Sequence, residues 1–321
     1  MKITFLGGGN MASALIGGLL NQGFSAGEIA VIEINEESRA RLEKDHRVRC
    51  YAEPDADALN CDALLLAVKP QQMRVACASL SPHLKQQLII SIAAGLRLSD
   101  LSRWLGGYDK LVRAMPNTPA LISSGVTGLF ALPSVSEAER LGAERVLQAV
   151  GSTLWVSDES QIDAVTAISG SGPAYVFLFI EALQQAALEL GFTDRQARQL
   201  AIETTLGAAK LAAQSDEAAS VLRERVTSKG GTTEAALLAM AARGVKDGII
   251  AGALAANARG GELGELLGKE GACSRKPDSS CSTRWSVFSP SRCCCAFTCR
   301  LSAYRSAIRS APLSCSSPTG W

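Results

Sequence analysis

The sequence predicts an α/β fold in two parts, a sheet with helices over residues 1–158 and helices alone over residues 159–269. Three observations carry this. Short apolar runs alternate with helical stretches through the first half, as βα units require. A glycine turn joins the first apolar run to its helix. From residue 160 the strand pattern stops and long apolar helical stretches take over.

With 321 residues the chain is long enough for two domains with their own cores. A 47% hydrophobic and 20% charged composition is that of a soluble globular protein. The net charge of +1 offers no global field for nucleic acid or an anionic membrane. The opening run "ITFL" is broken at once by "GGGN", so it does not suit a signal peptide, and no 18 uninterrupted apolar residues occur. Cys50, Cys61 and Cys77 are scattered, as buried or idle thiols in a reducing cytoplasm are. A cytoplasmic protein with neither nucleic-acid nor membrane partners is expected.

The first element is "KITFLGGGNMASALIGGLL", an apolar strand, a glycine turn and a helix with apolar Met11, Leu15 and Leu19. Its spacing Gly7-x-Gly9-x-x-Ala12 fits the dinucleotide fingerprint. Gly7 permits the tight turn, Gly9 lets the backbone approach a pyrophosphate, and Ala12 lets helix and strand pack closely. Free N–H groups at the helix start then face the anion. A glycine turn without a ligand is the plain alternative, and the next strand argues against it. "EIAVIEI" ends in acidic Glu33, placed to accept hydrogen bonds from an adenosine ribose. A solvated strand-end residue is the other reading of Glu33. Glu33-Ile34-Asn35 holds no cation for a 2′-phosphate, so tolerance of NADH is expected.

"ALLLAVKPQQM" is continuously apolar, as a buried parallel strand should be, until Lys69-Pro70 ends it. Lys69 suits a phosphate or ribose contact, or is simply a surface lysine. "QLIISIAAG" repeats the plan and finishes in small Ala93, Ala94 and Gly95, which allow a nicotinamide ring to approach. "KLVRAMPNTPALISSGVTGLF" adds a strand, a loop stiffened by two prolines around Asn117, and a β-rich return. "VGSTLWVSD" closes this half near residue 156.

Four helices are expected next. "SGSGPAYVFLFIEALQQAALELG" has Pro173 near its start and is apolar around much of its circumference, so burial against the cofactor half or another subunit is expected. "TDRQARQLAIETTLGAAKLAAQS" opens with the capping box Thr193 to Gln196. "TTEAALLAMAARG" is expected to be capped by Thr232 or Thr233, and "VKDGIIAGALAANARGGELGELLG" ends near residue 268. Ahead of the third helix stands "SKGGTT". Backbone N–H groups of Gly230, Gly231 and Thr232, with the helix dipole, make an anion seat suited to a substrate carboxylate. Helix capping alone would need one hydroxyl and neither glycine.

These motifs bring the chain close to a known family. "GGGNMA" (7–12), "AVKPQ" (67–71), "SIAAG" (91–95), "MPNTPA" (115–120), "SGSGPAY" (169–175) and "VTSKGGTTEAAL" (226–237) resemble those of pyrroline-5-carboxylate reductases, in order and spacing across residues 1–268. The resemblance implies a Rossmann-type dinucleotide-binding domain and an all-helical dimerisation domain. It also implies NADPH and/or NADH as cofactor, reduction of a cyclic imine to L-proline, and a homodimer or larger homo-oligomer.

By position, it implies cofactor contacts from Gly7, Gly8, Gly9, Asn10 and Met11, from Ala67, Val68, Lys69 and Pro70, and from Ala93, Ala94 and Gly95. Substrate contacts fall to Ser228, Gly230, Gly231, Thr232 and Thr233, with Asp216 at the family's upstream acidic position. Thr233 is the catalytic candidate, placed to hold the ring nitrogen. Three positions depart from the family pattern: Lys229 and Ala219 replace common prolines, and Pro54 replaces a cofactor-contacting asparagine. No placed acid is visible, because His46 and His83 lie outside every motif; a substrate entering as iminium removes the need for one. A β-hydroxyacid-dehydrogenase-type enzyme would call for a catalytic lysine or histidine in the helical half, where Lys229 is a poor match. A nucleotide sensor would have no use for "SKGGTT".

Residues 270–321 read differently. From residue 271 the segment holds seven Lys/Arg against Asp278 alone, 13 serines and seven of the ten cysteines, including Cys293-Cys294-Cys295. The spacing fits no usual zinc pattern, and no metal site is expected. A disordered extension arising from a frameshift or read-through is the expectation.

Overall fold

The computed structural model describes residues 1–269, all within one compact unit. The reading of residues 270–321 lies outside the described residues. The strands are β1 (Ile3–Leu6), β2 (Ile29–Ile32), β3 (Arg49–Tyr51), β4 (Ala63–Leu66), β5 (Leu88–Ser91), β6 (Leu111–Met115), β7 (Gly125–Ala131) and β8 (Gly151–Trp155). They form one sheet in the order β3-β2-β1-β4-β5-β6-β7-β8, parallel except where β6 meets β7. The order reverses between β1 and β4, which opens a crevice at their carboxyl ends. This is the α/β, Rossmann-type half that the glycine turn predicts.

The helices of this half are α1 (Asn10–Asn21), α2 (Glu36–His46), α3 (Pro70–Leu80), α4 (Leu98–Trp104) and α5 (Glu137–Leu147). They cover both faces of the sheet. Ile3 and Phe5 of β1 point into one core layer with Leu15, Ile16 and Leu19 of α1, all fully buried. Leu6 joins the opposite layer with Met73 and Leu101. That alternation is the two-residue period of a strand. Each such side chain contributes about 1.5–3 kcal/mol by leaving water. β3 escapes a reading of the sequence because "RCY" is three residues long and half-exposed at the sheet edge.

After Trp155 every element among the described residues is helical: α6 (Gln161–Val165), a π-helical turn (Thr166–Gly170), α7 (Gly172–Glu189), α8 (Asp194–Ala213), α9 (Ala219–Arg225), α10 (Thr232–Ala242) and α11 (Val245–Lys269). The α6, π-turn and α9 pieces add to the four helices expected. They are too short to show a periodic face. The Thr193 capping box of α8 forms as predicted. The cap of α10 does not: Gly231 is the N-cap, and Thr232 and Thr233 begin the helix proper.

Burial of α7 also differs from expectation within the single chain. Phe177 and Leu178 are 65% and 66% exposed, and Ala187 is its one buried residue. The run Gln161–Glu189 is long and apolar enough to cross a bilayer by length and composition alone. Its Asp163, however, is committed to the sheet. Arg113 of β6, 2% exposed, donates to Asp163 Oδ1 at 2.7 Å and to Glu159 Oε1 at 3.3 Å. Removing one partner of such a buried pair costs about 3–5 kcal/mol.

Candidate active site

The first cluster of candidate residues lies at the crevice between β1 and β4. Gly7 follows β1 with φ +99°, a conformation that glycine adopts without penalty. A β-carbon there would also stand 3.0 Å from the Ala67 carbonyl oxygen, so the turn after β1 lies directly against the turn after β4. At Gly9 a β-carbon would meet nothing within 4 Å, which leaves its backbone open to the crevice. No side chain caps α1, and Ser13 is the first residue of the turn whose N–H is taken, by Gly9 at 2.9 Å. The N–H groups of Asn10, Met11 and Ala12 therefore remain available to an anion. Ala12 is 1% exposed and packs as the fingerprint requires. These observations fit a dinucleotide.

Glu33 does not simply await a ribose. Its Oε2 accepts the Gly8 N–H at 2.8 Å, and its Oε1 accepts the Asn35 N–H at 2.9 Å. The carboxylate thus ties the glycine turn to the turn after β2. The sequence reading of this strand end needs correcting on one point. It does hold a cation: Arg39, about one turn into α2, donates to the Glu33 and Ile34 carbonyls at 2.8 and 3.0 Å. The helix bends the arginine back to a strand end that looks cation-free in the linear sequence. His46, outside every motif, sits 2.8 Å from Ser13 Oγ and braces α1 against α2.

Lys69 is exposed as the N-cap of α3, with half-buried Pro70 at N1 beside half-buried Ala67 and Val68. Past β5, Ala93 is buried, Ala94 is exposed, and Gly95 turns with φ +74°. The candidate cofactor residues, Glu33 included, therefore line the carboxyl ends of four neighbouring strands, β2, β1, β4 and β5. Asn117 lies after the next strand, β6. It donates to Ser169 Oγ at 3.0 Å and Ser169 O at 3.2 Å, and its Oδ1 accepts the Val126 N–H at 2.9 Å. The stiff "MPNTP" loop thus holds the π-helical turn.

The second cluster is the "SKGGTT" loop. Gly230 has φ +72°, and the Gly231 N–H closes the turn onto Ser228 O at 3.0 Å. The hydroxyls of Ser228, Thr232 and Thr233 make no hydrogen bond among the described residues. The Ala235 N–H is the first of α10 to find a backbone partner, on Gly231 at 3.2 Å. The N–H groups of Thr232 and Thr233 thus point out of the helix end, as an anion seat needs. The Gly230 N–H, however, already meets an anion, Glu234 Oε2 at 2.6 Å. Glu234 stands at N3 of α10, the position from which a capping-box glutamate reaches back. That spacing is the signal by which the sequence could have given it.

Asp216 is exposed in the α8–α9 loop, while its neighbour Glu217 takes Arg225 at 2.5 Å. Among the described residues no hydrogen bond or ion pair joins residues 226–237 to residues 1–158. Beside the loop, Thr227, Glu234, Leu238, Ile249 and Ile250 help to line an open apolar cavity of about 620 Å³.

Comparison with known proteins converges on one family. Residues 159–263 match a family model described as pyrroline-5-carboxylate reductase dimerisation, and residues 2–95 match one described as NADP oxidoreductase, coenzyme F420-dependent. A pyrroline-5-carboxylate reductase of Pseudomonas aeruginosa is 45% identical over 270 residues, covering 84% of this chain and 98% of its own. That of Haemophilus influenzae is 47% identical over 73% of this chain and 87% of its own. A solved pyrroline-5-carboxylate reductase from Coxiella burnetii superposes with a TM-score of 0.78 at 40% identity, over 82% of this chain and 98% of that one. The Plasmodium falciparum enzyme, solved with NADP bound, gives 0.74 at 28% identity over the same shares. The glycine cradle, the sheet order and the helical half thus have one common counterpart: the chain belongs to the pyrroline-5-carboxylate reductase family.

Proposed function

We propose that the chain reduces 1-pyrroline-5-carboxylate to L-proline with NAD(P)H, the last step of proline biosynthesis. The observation that carries this reading is the match to a curated relative of that name across 98% of the relative's length. The open N–H groups of α1 and the unfilled backbone face of Gly9 support the cofactor half of it. When bound, the reduced nicotinamide supplies a hydride. Gly7 to Met11 would hold the pyrophosphate, Ala67 to Pro70 would add further cofactor contacts, and Ala93 to Gly95 would leave room for the ring.

The protein's own contribution is binding and orientation. The open backbone N–H groups of Thr232 and Thr233, joined by that of Gly230 once Glu234 gives way, seat the substrate carboxylate beside Ser228, while the Gly231 N–H expected to share the seat stays on Ser228 O. Thr233 holds the ring nitrogen through its free hydroxyl, and Asp216 is a weaker contact. The domain boundary falls at residues 158/159, after the last strand. The exposed Phe177, Leu178 and Phe179 of α7 and the dimerisation match over 159–263 support a homodimer or larger homo-oligomer. The protein acts in the cytoplasm, without nucleic acid or membrane.

The test follows NAD(P)H absorbance at 340 nm after addition of pyrroline-5-carboxylate, with a β-oxo acid, the oxidised partner of a β-hydroxyacid, as the control substrate. Imine-dependent oxidation is expected. Oxidation with neither compound, despite tight NADH binding, would leave a nucleotide sensor instead.

A further inference from the structure

The 25-residue helix α11 spans about 38 Å at 1.5 Å per residue. Its first turns follow α10 and the "SKGGTT" loop, while its last turns lie on the turn after β5. Gly264 is its one buried residue. A β-carbon on Gly264 would stand 3.3 Å from the Gly95 carbonyl oxygen and 3.4 Å from Arg97 Nε. A β-carbon on Gly95 would in turn stand 3.3 Å from Leu267 Cδ1 and 3.7 Å from Leu263 Cβ. One turn further on, the Gly268 carbonyl accepts Arg103 at 3.0 Å, and Arg103 also pairs with Asp100 at 2.6 Å.

The same turn is fixed from a second direction. Glu159 Oε1 accepts the Leu98 N–H at 2.7 Å, at the start of α4, while pairing with buried Arg113. Residues 93–98 are therefore clamped between the end of α11 and the segment that leaves β8. Gly95 needs that clamp, because its φ of +74° is one among several conformations open to a glycine in a free turn.

We propose that Gly264 is a positioning residue for the nicotinamide end of the cofactor. By admitting α11 to contact distance, it holds the 93–97 turn in the shape against which the ring packs. The adenine end lies elsewhere, on the turns after β1 and β2, and is independent of this contact. The inference rests on assigning Ala93 to Gly95 to the nicotinamide side.

The experiment measures equilibrium binding of NADH and of ADP-ribose, which lacks the nicotinamide, to the full chain by calorimetry. Gly264→Ala adds a methyl that crowds Gly95, whereas Gly261→Ala adds the same methyl where nothing lies within 4 Å. Both gain the same helix propensity, so they differ in the contact alone. Gly264→Ala is expected to weaken NADH at least threefold and Gly264→Leu at least tenfold. ADP-ribose should stay within twofold of wild type in both, and Gly261→Ala should change neither ligand. If Gly264→Leu does not fold, the alanine pair decides. Equal weakening of both ligands by Gly264→Ala, or no weakening of either, overturns the proposal. Binding needs no imine, so a wild type that binds NADH as expected but leaves pyrroline-5-carboxylate unreduced counts against the proposed reaction and not against Gly264.

Discussion

The Glu234 carboxylate accepts the Gly230 backbone N–H at 2.6 Å, so the candidate substrate seat holds an anion of the chain itself. A substrate carboxylate that uses the same N–H must displace it. Glu234→Ala is therefore expected to lower KM for the imine about two- to fivefold, the worth of about 0.5–1 kcal/mol of competing hydrogen bond. Steady-state kinetics with imine varied at saturating NAD(P)H check this. A raised KM would show that Glu234 shapes the seat rather than competing for it.

Thr233 lies half-buried in the first turn of α10, with no hydrogen bond on its hydroxyl among the described residues. If that hydroxyl meets the charged ring nitrogen, its loss costs about 1.5–3 kcal/mol. Thr233→Ala should lower kcat/KM roughly ten- to a hundredfold and leave cofactor affinity near wild type. Because Gly231 is the cap, Tm should barely move. Early melting with normal turnover would place the substrate seat elsewhere.

Glu33 and Arg39 separate two contributions to cofactor binding. Glu33→Ser removes bonds to the Gly8 and Asn35 N–H groups and should raise KM for NADH and NADPH alike, by about tenfold. Arg39→Gln removes the cation held at this strand end and should weaken NADPH about three- to tenfold while sparing NADH. Parallel KM determinations with the two cofactors give the answer. An arginine variant that weakens both equally would assign Arg39 to the backbone turn alone.

A chain ending at Lys269 keeps the whole sheet, all eleven helices and every candidate site residue among the described residues. Full kcat/KM is expected from it, and a truncated protein that fails to fold would give the tail a structural part. The truncated form retains Cys50, Cys61 and Cys77. Burial raises all three thiols, Cys50 to about 11 and Cys77 to about 12. A raised thiol stays protonated, and therefore unreactive, at pH 8 and gains its thiolate only as the pH climbs further. Iodoacetamide at pH 8 should label none of them in the native protein and all three in urea. Stoichiometric native labelling would contradict the burial.

Local chemistry wrote much of this protein into its sequence. Gly7, Gly9 and Ala12 announce a phosphate cradle because a tight turn, an open backbone and a close helix each need a small residue at a fixed offset. The Thr193–Gln196 box and the apolar strands are legible for the same reason, since their partners lie within one turn or one pleat. What the tertiary structure decided involves partners far apart in the chain. Arg39 returns to the end of β2 through a helix, Arg113 finds Asp163 fifty residues later, and Gly264 finds Gly95 across almost 170. Such contacts arise from the packing of finished elements, and no spacing along the chain encodes them. The exposed apolar flank of α7 marks the same boundary: the sequence shows that it wants covering, and packing within one chain does not supply the cover.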